Sequence, residues 1–361
     1  MMGKRTIVPF GPQHPALPEP IHLDLELEDE KVIRAVPSIG YVHRGLEKLV
    51  EQNDYQIMCY VMERVCGICS FGHSWGYAAA VEGLMDIEVP ERAEHLRTIF
   101  HELSRIHSHL LWLGLLADAM GFESLFMHCW RLRESILDIF EKSTGGRVIL
   151  SFTKIGGQFK DIPKESLAEI VIILENMRKE LLVVTNVFLD DTSVKNRMCG
   201  VGKLSKEDIM KLGAIGPTAR GSGVNNDARC LDLGKYKELG FKPILETDGD
   251  CYARCKVRVR EIFQSIDIII KDVENIPEGP VNIPVKGMPP MGDFIARIEQ
   301  PRGEAFYYVK GNGTKYLDRA RVRTPTNANI PILVKVLQGC YLNDVTMMVM
   351  TIDPCISCTE R

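Results

Sequence analysis

The chain has 361 residues, of which 45% are hydrophobic and 25% are charged, a composition typical of a globular protein with a sizeable core. Its net charge of −4 argues against nucleic acid as a partner, and no apolar run reaches the roughly 18 residues that predict a membrane-spanning helix. Residues 1–10 lack the apolar region of a signal peptide, so work at a membrane would depend on partner subunits.

The N-terminal part of the chain is rich in proline and contains one strictly alternating stretch. In residues 21–27 apolar and polar side chains alternate, which predicts a half-buried strand that pairs across an acidic turn with a second strand at 31–36. The preceding loop, 11–20, holds four prolines and cannot form a helix. We therefore predict a β-rich segment over 1–40 and one integrated helical domain over 41–361.

Helical periodicity dominates the middle of the chain. A helix is predicted to begin at His73 and to end before Pro90, and residues 91–120 follow a 3.6-residue period without proline, as expected of a long core helix. Further helices are predicted at 122–140, 163–189 and 257–273. Three histidines on the long helix are expected to be core or surface side chains and not metal ligands: His101, His107 and His109. The sequence thus predicts a mainly α fold with a small N-terminal β-sheet and a bundle-like core.

Glycine-rich segments interrupt the helices between residues 191 and 260. Glycine repeats can cradle a phosphate, but none of these follows an evident strand with the spacing of a Walker or dinucleotide-binding motif. They predict loops, as does the proline-rich segment 280–290. A strand is predicted at 306–310.

Eleven cysteines in a chain without a signal peptide predict reduced thiols and no disulfide framework. Four of them form two Cys-x-x-Cys pairs near opposite ends of the chain, Cys66 with Cys69 and Cys355 with Cys358. Such pairs can ligate one metal, and soft thiolates select zinc, copper(I), iron–sulfur or another thiophilic metal. The remaining cysteines are expected to be small buried apolar residues: Cys59, Cys129, Cys199, Cys230, Cys251, Cys255 and Cys340.

Spacing alone leaves the kind of sulfur site open. A structural four-cysteine zinc site is one alternative, but compact zinc modules place their pairs roughly 12 to 20 residues apart, whereas nearly the whole chain separates these two. A chain with an ample core does not need zinc to hold it together, which favours a metal that does chemistry. A thioredoxin-like redox pair is less favoured, because neither pair opens a βαβ unit.

Two ordered motifs carry a resemblance to a known family. Residues 64–73 read RVCGICSFGH and residues 353–361 read DPCISCTER, and together they resemble the two metal-binding signatures of the large subunit of nickel–iron hydrogenases. The family usually ends in histidine where this chain has Arg361, and this departure is similar to the energy-converting, membrane-bound branch. The proline-rich and glycine-rich loops resemble that branch and the 49-kDa subunit of respiratory complex I. The resemblance covers residues 11–361 and implies the fold that these subunits share.

The resemblance implies a cofactor and a ligand set. Nickel is expected on all four paired cysteines, with Cys69 and Cys358 bridging to an iron that carries carbon monoxide and cyanide. Arg64 and His73 of the first motif are expected beside this centre, and His73 is expected either to orient a cysteine sulfur by hydrogen bonding or to be a satisfied residue at the helix start.

Two further segments resemble family motifs around the same cofactor. Residues 299–304 resemble the Pro-Arg-Gly motif, which implies that Pro301 and Arg302 lie over the metals, and arginine keeps its charge and fixed donors in a dry pocket. Residues 324–329 resemble the Pro-Thr motif, which implies that Pro325 and Thr326 contact an iron-bound cyanide.

The resemblance also implies a route for protons. Cys355 would take up a proton, and Glu19 would pass it on, because in the complex I relatives this loop supplies a quinone-binding histidine near the position of Glu19. Without the resemblance, Glu19 would be expected to be a solvated side chain. In many family members the counterpart of Glu47 binds magnesium together with the terminal histidine, but Arg361 cannot ligate a metal, so Glu47 is the candidate for a second metal or for pairing with a basic residue.

The implied function is that of the catalytic subunit of an energy-converting nickel–iron hydrogenase, which interconverts protons and hydrogen and is linked to ferredoxin. The chain has no second set of cysteines for an iron–sulfur cluster, so a small partner subunit carrying a [4Fe–4S] cluster is expected. Ferredoxin-like and membrane subunits would hold the chain on the cytoplasmic face. Two alternatives stay open: a quinone-reducing subunit like that of complex I, whose members lack the cysteine pairs, and a scaffold subunit with structural zinc.

Overall fold

The computed structural model describes residues 5–15, 17 and 19–361, and helices form most of its core. The helices are α1 (Leu46–Glu51), α2 (Met58–Glu63), α3 (Ser70–Leu84), α4 (Glu91–Ala119), α5 (Glu123–Thr144), α6 (Lys164–Asp190), α7 (Thr192–Met198), α8 (Lys206–Leu212), α9 (Gly216–Arg220), α10 (Cys251–Asn275), α11 (Pro325–Leu337), α12 (Leu342–Ile352) and α13 (Ile356–Glu360). The strands are β1 (Arg5–Phe10), β2 (His22–Glu28), β3 (Lys31–Ser38), β4 (Thr153–Lys154), β5 (Gly157–Gln158), β6 (Gly292–Gln300), β7 (Gly303–Gly311) and β8 (Leu317–Arg323). They form three antiparallel sheets, β1–β2–β3, β4–β5 and β6–β7–β8. Within the described part of the chain, no helix combines the length and the apolar character needed to cross a membrane.

The predicted N-terminal hairpin is confirmed and extended by one strand. Strands β2 and β3 pair in antiparallel register, and the turn between them is made by Asp29 and Glu30, whose φ angles are 49° and 66°. The alternating leucines of β2 point into the core, as the pattern predicted. Strand β1 was not predicted, because its segment is rich in proline. It pairs with β2 on the side away from β3.

The long helix α4 is the central element of the bundle. It packs against α5 on one side and α10 on another, and α10 also contacts α6. Acidic Glu91 and Glu94 occupy its first turn, where they oppose the positive end of the helix dipole. The predicted helix over residues 91–120 is confirmed, and His101, His107 and His109 are buried in it, as is a fourth histidine, His95.

Helix α3 begins at Ser70, three residues earlier than predicted, with Cys69 at the N-cap position. The β6–β7 hairpin packs directly on this helix. Two helix glycines allow the close approach: a Cβ on Gly76 would lie 2.1 Å from the ring of Tyr307, and one on Gly83 would lie 2.3 Å from the ring of Phe294. The first cysteine pair therefore lies on the turn before α3, and the β6–β7 hairpin holds this helix in place by packing against it.

The predicted strand at 306–310 forms part of β7, but the flanking strands β6 and β8 were not predicted. Pro301 and Arg302 form the two-residue tip between β6 and β7, so the hairpin positions Arg302. At the other end of the chain, Asp353 ends α12 in a left-handed conformation with φ 60°. This turn places Cys355 immediately before α13.

One expectation about the remaining cysteines needs correction. Cys199 and Cys230 are exposed, and the other five are buried as expected. Cys199 follows the end of α7 and Cys230 lies in a single-turn 3-10 helix, so both occupy loop connections that the core does not cover.

Candidate metal centre

The structure brings the two cysteine pairs together in the core. The sulfur of Cys66 lies 3.4 Å from that of Cys355, and the sulfur of Cys69 lies 3.4 Å from that of Cys358. The ligand atoms of Cys66, Cys69 and Cys358 all lie within 4.8 Å of one another. All four side chains are buried, so the fold joins the turn before α3 with the start of its last helix, α13.

Backbone groups near the cysteines are held in place by local hydrogen bonds. The backbone N–H of Ile68 donates to the sulfur of Cys66 at 3.2 Å. The backbone N–H of Cys355 donates to the hydroxyl oxygen of Thr326 at 2.9 Å, and the hydroxyl of Thr324 donates to the backbone oxygen of Cys358 at 3.0 Å. The turn that carries Cys355 is therefore tied to the start of α11, where Pro325 occupies the first turn.

Charge makes this cluster a fitting site for a soft cation. Hydrogen bonds from Cys355, Cys358 and Cys69 lower the pKa of Cys66 well below its usual range, and burial together with the neighbouring sulfurs raises the pKa of Cys358 well above it. Four thiolates packed this closely in a dry core would repel one another strongly. A thiophilic metal between them would neutralise that charge, and the donor set fits zinc, nickel or iron rather than magnesium.

Arg302 lies beside the cluster and is anchored to the segment that carries Cys355. Its Nη2 lies 3.0 Å from Oδ1 of Asp353, and its Nε donates to the backbone oxygen of Asp353 at 3.2 Å. Burial opposes the charge on Arg302, but the Asp353 carboxylate and the thiolates raise its pKa well above the ordinary value. Its Nη1 is buried without a hydrogen-bond partner among the described residues, so one donor is left for a group bound at the cluster.

Glu19 reaches the same cluster from the N-terminal loop. Its Oε1 lies 3.5 Å from the sulfur of Cys355, and its Oε2 accepts hydrogen bonds from the backbone N–H groups of Ile356 and Ser357. Burial and the negative charge of Cys66 raise the pKa of this carboxyl, which Arg302 partly opposes. Glu19 also lines an open cleft of about 410 Å³, so it stands between a buried sulfur and solvent.

His73 contacts the cluster through the sulfur of Cys358. Its Nε2 lies 3.3 Å from the sulfur of Cys358, and burial lowers the pKa of its imidazole to about 4. Behind it, Tyr307 and Gln300 continue the polar contacts. Neither of these residues was singled out from the sequence, because one tyrosine in a strand and one glutamine before a proline carry no pattern of their own.

Two residues that the family motifs suggested lie elsewhere. Arg64 is exposed, and its Nη1 donates to the backbone oxygen of Tyr60 at 2.7 Å, so its guanidinium is not among the groups in contact with the sulfurs. Glu47 accepts from the backbone N–H of Val322 at 2.9 Å and lies 3.3 Å from Nε of Arg361. A guanidinium thus occupies the place in which a second metal was considered.

Comparison with known proteins places these features in context. Residues 119–290 and 282–361 match the family described as the 49-kDa subunit of respiratory-chain NADH dehydrogenase, and residues 44–119 match the nickel-dependent hydrogenase family. The two matches meet at the end of α4.

Individual relatives cover almost the whole chain. The membrane-bound hydrogenase subunit alpha of Pyrococcus furiosus is 38% identical over 98% of this chain and 87% of its own length. The carbon monoxide-induced hydrogenase of Rhodospirillum rubrum is 36% identical over 98% of this chain and 99% of its own. A chain in the structure of the membrane-bound sulfane sulfur reductase, an archaeal respiratory membrane complex, superposes with a TM-score of 0.94 at 29% identity, covering 100% of this chain and 99% of that one.

Proposed function

The chain belongs to the family that unites the 49-kDa subunit of respiratory NADH dehydrogenase with the large subunits of membrane-bound nickel–iron hydrogenases, and from that premise we propose that it is the catalytic subunit of an energy-converting hydrogenase. Its substrates would be protons and hydrogen. The observation that carries the proposal is the convergence of four buried sulfurs from opposite ends of the chain.

Cys66, Cys69, Cys355 and Cys358 would hold a nickel–iron centre, with Cys69 and Cys358 shared between the two metals and carbon monoxide and cyanide on the iron. When bound, such a centre supplies the redox chemistry that interconverts hydrogen with protons and electrons. The soft donor set, the dry surroundings and the close sulfur spacing support this assignment over a hard cation.

The protein's own groups would handle the proton. Cys355 can hold a proton on its sulfur, and Oε1 of Glu19 is the carboxylate oxygen that faces it at 3.5 Å. Two backbone N–H groups fix the other oxygen of Glu19, so its acceptor atom stays aimed at the sulfur. A proton that reaches Glu19 can leave through the cleft that this residue lines, as general acid–base transfer requires.

Arg302 would supply a fixed positive donor over the bound group. Its pairing with Asp353 holds the guanidinium plane, and Nη1, which has no hydrogen-bond partner in the described part of the chain, is the donor that remains. In a water-excluded site such a preorganised charge stabilises developing negative charge without reorganisation. Thr326 and Pro325 would line the same pocket from the start of α11, while Pro301 shapes the hairpin tip next to Arg302.

Electrons would need a partner. The seven cysteines outside the cluster include no further Cys-x-x-Cys pair, so we propose a small iron–sulfur subunit with a proximal [4Fe–4S] cluster and a ferredoxin-type donor. The membrane-bound character of the Pyrococcus relative and of the sulfane sulfur reductase complex supports membrane subunits as partners, and we propose that they hold this chain on the cytoplasmic face.

A second candidate is a reductase subunit that passes electrons to quinone or to another acceptor. The match of residues 119–361 to the NADH dehydrogenase subunit and the likeness to a sulfane sulfur reductase favour it. Elemental analysis of the purified complex separates the candidates. Nickel equimolar with the chain is expected, together with iron in excess of that held by the iron–sulfur clusters of the partner subunits, whereas zinc in place of nickel, or no metal at the cysteines, would contradict the proposal.

A further inference from the structure

A buried chain of polar contacts runs from the sulfur of Cys358 to strand β6. Nε2 of His73 lies 3.3 Å from that sulfur, Nδ1 of His73 lies 2.8 Å from the hydroxyl of Tyr307, and that hydroxyl accepts a hydrogen bond from Nε2 of Gln300 at 2.9 Å. All four side chains are buried. The rings of His73 and Tyr307 meet edge to face at 80°, with centroids 5.9 Å apart.

The donor and acceptor roles along this chain follow from the chemistry of its members. The amide nitrogen of Gln300 can only donate, so the Tyr307 oxygen accepts and its own proton is free to go to Nδ1 of His73. A neutral imidazole that accepts at Nδ1 carries its proton on Nε2. That N–H then faces Cys358, and a metal-bound thiolate, which has no proton, can only accept.

We propose that Tyr307, oriented by Gln300, is a positioning residue that fixes the His73 tautomer so that its Nε2–H donates to the sulfur of Cys358. The inference rests on the proposed function in so far as Cys358 is taken as a metal ligand. Hydrogen bonds to ligand sulfurs withdraw electron density and tune the potential of the metal they bind. Tyr307 and Gln300 would therefore influence the centre without touching it.

Packing shows that the position of Tyr307 is built into the fold. Gly76 of α3 leaves the space that the Tyr307 ring fills, since a Cβ there would lie 2.1 Å from the ring. A Cβ on Gly72, one helical turn earlier, would lie 3.2 Å from both Cγ of Gln300 and Cε1 of His101. Two glycines spaced by one turn thus seat both residues of the polar chain against the helix that carries His73.

Tyr307→Phe tests the proposal, because it keeps the ring and removes only the hydroxyl. Tyr308→Phe is the matched control, since Tyr308 lies on the same strand and is only partly buried. In the purified complex, Tyr307→Phe should retain its metals but shift the infrared bands of iron-bound carbon monoxide and cyanide to lower wavenumber and broaden them. Tyr308→Phe should leave them at the parent positions. Unchanged bands in Tyr307→Phe would overturn the proposal.

A second readout does not depend on the nickel–iron centre. In the zinc-loaded chain labelled with ¹⁵N-histidine, the parent should show the His73 tautomer that is protonated at Nε2, and Tyr307→Phe should show a mixture. A parent protonated at Nδ1 would reverse the polarity of the chain and overturn the inference. Absence of carbon monoxide and cyanide bands in the parent would instead count against the proposed function, and the nitrogen signals would still decide the role of Tyr307.

Discussion

The carboxylate of Glu19 lies 3.5 Å from the sulfur of Cys355, although 336 positions separate the two residues in the chain. The N-terminal loop and the turn before α13 meet at this contact. One oxygen of Glu19 is held by backbone N–H groups of α13, and the other faces the sulfur. An acid–base group that stands beside a buried thiol and lines a cleft is the arrangement expected of a proton exit.

Glu19→Gln tests this role because it preserves shape and removes the ability to exchange a proton. We expect the variant to keep its metals and to lose hydrogen production by about 100-fold or more, the scale of general acid–base catalysis, together with proton–deuterium exchange into bulk water. Glu88→Gln, at an exposed loop position, is the control. Exchange and production at parent rates in the intact complex would show that protons leave by another route, with His14, His43 and Asp54 next to be tested.

Loss of any cluster sulfur should remove the metal. Cys66→Ser and Cys355→Ser replace a soft thiolate by a neutral hydroxyl, which is a poor ligand for nickel, so both should lose nickel and activity together. Cys340→Ser changes a cysteine outside the cluster and should retain both. Metal analysis and hydrogen turnover check this, and a full nickel complement in Cys66→Ser would remove that residue from the ligand set.

Arg302→Lys tests whether hydrogen turnover needs only a positive charge at this position or also the fixed donor geometry of the guanidinium. An ammonium on a flexible stem cannot reproduce the two contacts with Asp353 and the remaining fixed donor, so we expect retained metals and severely slowed turnover. Arg297→Lys is a control on the same hairpin, where a partly exposed arginine pairs with Glu304. Parent turnover in Arg302→Lys would make Arg302 a structural residue.

The buried carboxylate of Glu102 predicts that the free energy of unfolding decreases in the acid pH range. Burial disfavours its ionisation, but Arg105 and Arg229 hold its pKa at about 2, below the ordinary 4.5. A lowered folded-state pKa stabilises the protein above pH 4.5, and this contribution is lost as the pH falls toward about 2.

Denaturant unfolding at several pH values checks the prediction for Glu102. Glu102→Gln leaves the buried Arg105 without its carboxylate partner and removes one of three carboxylates beside Arg229. The variant should lower the free energy of unfolding at neutral pH by about 3–5 kcal/mol, and its stability should fall less steeply than that of the parent as the pH drops. Glu175→Gln, on the exposed face of α6, should change it by about 0.5 kcal/mol or less. If the free energy of unfolding fell equally with pH in Glu102→Gln and in the parent, the lowered pKa of Glu102 would be contradicted.

Much of the fold could be predicted because periodicity is a local property. The alternation in β2 and the 3.6-residue period of α4 each fix which side chains face the core, and both elements lie where expected. The start of α3 was predicted three residues too late. Ser70 and Phe71 belong to the helix because the turn that carries the first cysteine pair ends at Cys69, the N-cap residue.

Some residues of the candidate site could likewise be predicted from the sequence, and others could not. The four sulfurs could be predicted as one cluster from motif order, and the structure brings them together. The partners of His73 could not, because Tyr307 reaches it only through hairpin packing against Gly76, a contact between segments far apart in sequence. The pairing of Glu47 with Arg361 was foreseen only as one of two outcomes, since ligand geometry cannot be read from residue types alone.

Infrared spectroscopy of the purified complex tests the central claim most directly, because metal-bound carbon monoxide and cyanide absorb where protein does not. The account predicts carbon monoxide and cyanide bands in the parent that vanish in Cys358→Ser and persist in Cys340→Ser. A parent complex that is fully assembled and active toward another acceptor, yet shows none of these bands, would contradict a nickel–iron centre at the four cysteines.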